Sequence, residues 1–158
     1  MNEFQVRVEA SGPRRVFALV VLAVLGGTLV YVGLATPPQS LGWQVFLIVA
    51  GLAALALSVR TWQATEEAVV LREDGLYETG GRQICRVEDV ESVDRGLFAF
   101  KPSNGFLVRL KTPQPRAWAP GLWWRLGRRV GIGGVTPGAQ ARVMADVLTA
   151  RIMERDRG

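Results

Sequence analysis

Three tryptophans and four arginines fall within fourteen positions, Arg116–Arg129, in the stretch RAWAPGLWWRLGRRVGIGG. Indole beside guanidinium suits three kinds of surface. One stacks nucleic-acid bases, one sits among lipid headgroups, and one is a packed loop with rings in the core and charges in water. The stretch belongs to a longer acid-free run, Arg95 to Ala145, with nine basic residues: Arg95, Lys101, Arg109, Lys111, Arg116, Arg125, Arg128, Arg129 and Arg142. The acids gather upstream, from Glu66 to Asp94, and the net charge is +5. Such polarity draws a surface toward anionic partners.

Catalytic chemistry has few footholds. The sequence has no histidine, which removes the commonest general base and the usual metal ligand. Its one cysteine, Cys85, cannot form an internal disulfide and fits a reducing compartment. The apolar pattern around Cys85 predicts burial rather than reactivity. The pairs Glu66/Glu67 and Glu88/Asp89 read as solvated charge beside strands. Gly131 to Gly134, GIGG, lacks the spacing and the following Lys-Ser/Thr of a phosphate loop, and reads as a strand end and turn. No catalytic residue, cofactor or metal site is expected, and an enzyme is the least favoured class.

The elements that hold these residues begin with a 44-residue block, Val16 to Val59, without a single charge. A bilayer crossing needs about 20 apolar residues, so the block holds two, divided by the prolines of TPPQS at 36–40. The expected spans are about 16–35 and 41–62. Trp43 and Trp62 lie 19 residues apart, roughly 28 Å of helix, which suits one aromatic anchor at each interface. Ala23/Gly27 and Ala50/Ala54 are candidate small-residue contacts between the helices. Arg7, Arg14 and Arg15 precede the first span, Arg60 follows the second, and the connecting loop has no basic residue. The positive-inside rule then places both termini in the cytoplasm and the short loop outside, with residues 1–15 as a cytoplasmic tail. GPRRVFAL (12–19) also resembles a twin-arginine export signal, but the apolar run is too long and a second span follows at once.

Residues 64–158 form the remaining domain. EAVVLRED (67–74) is a short apolar strand, and GLYETGGRQICRV (75–87) reads as a hairpin about Gly80-Gly81. VESVDRG (90–96) follows. FAFKPSNGFLVRLK (98–111) has a turn at 102–105 with a strand on either side. Phe106, Val108 and Leu110 alternate with Leu107, Arg109 and Lys111, a half-buried strand with a basic face. RAW and RRVGI are weaker strands flanking the tryptophan segment. The period then becomes helical over about 137–155, with Thr136 as N-cap and Pro137 opening the helix. Ala139, Val143, Met144, Val147, Leu148 and Ala150 form its apolar face, opposite Arg142, Asp146 and Thr149. The fold expected is a transmembrane helix hairpin followed by a small antiparallel β-barrel or sandwich of some seven strands, capped by a C-terminal helix.

Two spans, strands, CRVEDVESVDRG (85–96), a strand pair and a capping helix resemble the bacterial pleckstrin-homology-like two-span membrane proteins. Val87, Asp89, Val90 and Val93 match the family phrase I-x-L-x-D-I-x-x-V. The resemblance covers about 64–155 and the two-span arrangement. It implies a PH-like domain and, for some members, a part in assembling membrane complexes; it transfers no ligand residues. Two functions follow as expectations. The first is a non-enzymatic adaptor whose domain binds a protein partner, such as a membrane-complex subunit. The second is a sensor of anionic lipid headgroups. The candidate face for either lipid or a partner is Arg109, Lys111, Arg116, Trp118, Trp123, Trp124, Arg125, Arg128 and Arg129; basic residues are worth about 1 kcal/mol each close to an anionic leaflet. Nucleic acid is disfavoured, because no reading helix or zinc motif is present and the anchor holds the domain at a membrane.

Overall fold

A computed structural model describes residues 5–96 and 102–158. The element order is β1 (Val6–Val8), α1 (Gly12–Ala35), α2 (Leu41–Ala64), β2 (Val69–Leu71), β3 (Gly75–Glu78), β4 (Gln83–Arg86), β5 (Val90–Asp94), β6 (Phe106–Ala119), β7 (Trp123–Ile132) and α3 (Gly138–Arg157). The strands make two antiparallel sheets, β1-β2-β3-β4 and β5-β6-β7.

The helices α1 and α2 are long and apolar enough to cross a membrane. Only 17% of the most apolar stretch of α1 and 6% of that of α2 is buried, so their side chains face outward rather than into a protein core. At 24 residues each they are about 36 Å long. Helix α1 begins four residues before the uncharged block, with Pro13 in its first turn, where a missing N–H costs nothing.

The helices meet through different small residues from those expected. Gly26 and Gly51 face each other so closely that a Cβ on either would stand 2.7 Å from the other's carbonyl oxygen. Gly33 is covered by Ile48, whereas Gly27 has nothing within 4 Å of an added Cβ. The spacing-four pattern picked positions on the wrong side of α1, because many small residues share a span and only the crossing point selects among them. Gln44 donates to the Gly33 carbonyl at 3.0 Å and Ser58 to that of Leu19 at 3.3 Å, satisfying the polar side chains on the helix contact.

The expected tail is part of the barrel. Val6, Arg7 and Val8 pair with Leu71, Val70 and Val69, so β1 forms one edge of the first sheet. A three-residue strand has too little pattern to stand out in a sequence. Both spans are thus inserted between two neighbouring strands. Two hydrogen bonds tie the junction down: Ser11 N–H donates to the Val135 carbonyl at 2.7 Å, and the Arg14 guanidinium donates to the Thr136 carbonyl at 2.9 Å.

The hairpin about Gly80-Gly81 forms as expected, with Gly81 at φ +94°. So does the turn at 102–105, where Asn104 takes φ +56° and Gly105 N–H returns to the Pro102 carbonyl. The strand expected before that turn, and Lys101, lie outside the described residues or border them. The phrase Val87, Asp89, Val90, Val93 spans a short 3-10 turn and β5; Val90 is fully buried, while Val87 and Val93 pack at the core margin.

The segments RAW and RRVGI are parts of β6 and β7, one long hairpin. Its ladder is interrupted where Leu110–Pro113 stand opposite Arg128 alone, between the pairs Arg109/Arg129 and Gln114/Gly127. Extra residues on one strand bend a ribbon. Gly127, at φ +58°, makes the bend on the other strand. The two ends of β7 consequently meet, Gly133 N–H donating to the Leu122 carbonyl at 2.8 Å.

Helix α3 closes the barrel with Ala141, Met144, Ala145, Leu148 and Ile152. This stripe is rotated from the one expected: Ala139, Val143 and Ala150 are exposed. Thr136 is not a capping side chain. It is fully buried at the strand–helix junction, and Pro137 occupies the N-cap position without a side-chain cap. The core joins Val8, Leu76, Ile84, Phe106, Val108, Leu110, Trp123 and Ile132 to this helix.

Candidate docking surface

The tryptophan–arginine segment is built on the folded hairpin, and strand parity divides it. Trp123 points inward and is 1% exposed. Its indole N–H donates to a carboxylate oxygen of Glu78 on β3 at 2.7 Å. Arg82 stacks on the same ring with its guanidinium carbon 5.2 Å from the centroid. A buried carboxylate needs such a donor, because unpaired it would carry a desolvation penalty. Trp123 is therefore a core residue and leaves the expected surface. Sequence reading missed Glu78, whose charge looked like ordinary surface.

Trp118 and Trp124 are directly paired across the ladder on the opposite face. Trp118 is 59% exposed, as is Leu126 at 52%. Trp124 is half-buried, its ring lying over Gly131, where a side chain would collide with it. Arg116, two residues before Trp118, is also exposed.

The arginines divide too. Arg125 is partly buried and spans a gap, donating to the Ile84 carbonyl at 2.6 Å and the Pro115 carbonyl at 2.8 Å. Burial, and then the neighbouring Arg82, push its pKa downward. It bridges the open edge of β4 to the hairpin and is structural. Arg128 donates twice to the Lys111 carbonyl, pinning the bend. Arg109 and Arg129 stand opposite each other on adjacent strands, both exposed. Among the described residues, no ion pair reaches Arg109, Lys111, Arg116, Arg128 or Arg129. Asp146 on α3 pairs instead with Arg95.

The other candidates resolve into structure. Glu67 accepts from Thr79 and from Gly80 N–H, capping the β3–β4 turn. Glu88 pairs with Arg86 at 2.9 Å. Cys85 is buried, and burial pushes its thiol up to about 12. Gly133 and Gly134, both at positive φ, allow the backbone to approach Gly105 and Gly121. Among the described residues no group of three His, Cys, Asp or Glu side chains could hold a metal ion. Trp43 and Trp62 are exposed at opposite ends of α2; Trp43 meets Phe46 edge-on, and Arg15 lies 4.4 Å from the Trp62 ring centroid.

No protein-family model, curated protein or solved structure matches the chain.

Proposed function

We propose that this chain is a non-catalytic adaptor of the bacterial PH-like kind, tethered in a bacterial inner membrane with both termini in the cytoplasm. Its barrel binds an acidic segment of a membrane-complex subunit. The observation that carries the reading is the cross-strand pair Arg109/Arg129, with Lys111 nearby and, among the described residues, no ion pair to any of the three. Like charges directly opposite in a sheet cost stability. An anionic partner would turn that cost into binding free energy. Support for a non-catalytic role comes from the inaccessible Cys85 thiol and the structural use of the carboxylate pairs.

The test is affinity purification of the full-length protein from membranes in mild detergent, beside the double variant Arg109→Glu/Arg129→Glu. A partner retained by the native chain, lost from the variant and released by salt supports the adaptor. Recovery of the protein alone, or a partner indifferent to the substitutions, defeats it.

A further inference from the structure

The turn between β6 and β7 sits against the end of a membrane-spanning helix. At Gly121 a Cβ would stand 3.2 Å from a methyl group of Thr65 and 3.5 Å from that of Thr61, both on the last turn of α2 or just beyond it. Thr61 is buried there, whereas its neighbour Trp62 is exposed, the placement of an interfacial anchor. Trp118 lies three residues before Gly121, across the turn that follows the end of β6 at Ala119, and so stays close to that end of α2. The exposed ring therefore stands at the end of the barrel nearest α2, beside the exposed Leu126 and Arg116, to which no ion pair reaches among the described residues. The opposite face of the same arm, Ala117, Ala119 and Trp123, is already packed into the core, so only the outer face remains for a partner.

We propose that the outer face of the hairpin arm, formed by Arg116, Trp118, Trp124 and Leu126, rests on the headgroup layer of the bilayer that α1 and α2 cross. Trp118 inserts its ring at the interface, and Arg116 engages lipid phosphate. A lipid surface fits better than a second protein for two reasons. The turn of the arm packs against the last turn of α2 through Gly121, Thr61 and Thr65, and its chemistry of exposed indole, exposed leucine and exposed guanidinium matches a boundary that is apolar below and anionic above. The contact would hold the barrel in one orientation and leave the Arg109/Arg129 pair for another ligand. It requires the two spans but not the adaptor reading.

The test places an environment-sensitive fluorophore at Trp118→Cys in the full-length protein, reconstituted in phosphatidylcholine vesicles with and without phosphatidylglycerol. Asp156→Cys, at the far end of α3, serves as the reference position, and native protein reports any labelling of the buried Cys85. The contact predicts a blue-shifted label at 118, quenched severalfold more than the label at 156 by lipids spin-labelled near the headgroup. Phosphatidylglycerol should increase the quenching, and Arg116→Glu should reduce it. Equal, water-like signals at 118 and 156 would overturn the proposal. So would shielding of 118 that appears only when membrane proteins are added, which would mark the face as a protein site. Neither result bears on whether Arg109 and Arg129 bind a partner.

Discussion

The indole N–H of Trp123 donates to the Glu78 carboxylate at 2.7 Å, joining the far arm of one sheet to the centre of the other. This bond makes one of three neighbouring tryptophans structural. Replacing Trp123 with phenylalanine leaves the buried carboxylate without its donor and should cost about 1–3 kcal/mol, while Trp123→Ala should cost about 3–5 kcal/mol. Trp118→Ala, on the exposed face, should change stability by no more than about 0.5 kcal/mol. Denaturant unfolding in detergent, followed by circular dichroism of the sheets, measures all three. Equal losses at positions 118 and 123 would contradict the parity described.

Strand β1 sets how the barrel can be excised. A fragment of residues 64–158 lacks β1 and leaves β2 as an open edge, which invites aggregation. Joining residues 5–10 to 66–158 through a short glycine-serine linker replaces the spans and restores the Val8/Val69 pairing. The linked form should be monomeric and cooperative in unfolding, and the simple fragment aggregated, as judged by size-exclusion chromatography.

Gly26 and Gly27 are adjacent in sequence but unlike in space. Gly26→Leu should separate the helices, because even a Cβ meets the Gly51 carbonyl oxygen and the Leu55 side chain. Gly27→Leu should be tolerated. Disulfide cross-linking between cysteines introduced on α1 and α2 should fall sharply in the first variant and persist in the second.

Burial of Cys85 gives stability a dependence on alkaline pH. The folded state holds the thiol proton up to about 12, while an unfolded thiol loses it near 8.5. Between these values the unfolded state binds fewer protons, so stability falls as pH rises. The contribution is complete below about pH 8.5. Cys85→Ala should flatten this part of the profile. Alkylation of Cys85 at pH 8 should require unfolding, and rapid alkylation of the native protein would refute the buried placement.

The Arg109/Arg129 pair should show a trade between stability and binding. Arg129→Glu converts a repulsive cross-strand pair into an attractive one and should stabilise the barrel by about 0.2–1 kcal/mol, while weakening an acidic partner. Thermal unfolding beside the affinity purification tests both halves.

The legible parts of this fold were those written in local pattern. An uncharged run long enough for two crossings, broken by two prolines, predicts two long apolar helices, and α1 and α2 are long and apolar enough to cross a membrane. Gly80-Gly81 and residues 102–105 announced their turns through backbone demands that few residues meet. Alternation from Phe106 to Lys111 fixed a strand with one basic face, although Leu107 is buried as well. The candidate site was legible in composition but not in arrangement. Nothing in RAWAPGLWWRLGRR tells Trp123 from Trp124, since adjacent positions on a strand exchange faces with a one-residue change of register.

The sequence by itself determined the two long apolar helices, the antiparallel strands, the terminal helix and an acid-free half. Each follows from hydropathy, period or charge read over neighbouring residues. Only the tertiary structure decided that β1 belongs to the barrel, that Gly26 meets Gly51, and that the stripe on α3 is rotated. It alone sent Trp123 to Glu78 and left Trp118 outside. Those outcomes depend on register and crossing points between segments distant in the chain, and such long-range pairing leaves no mark on the local pattern of either partner.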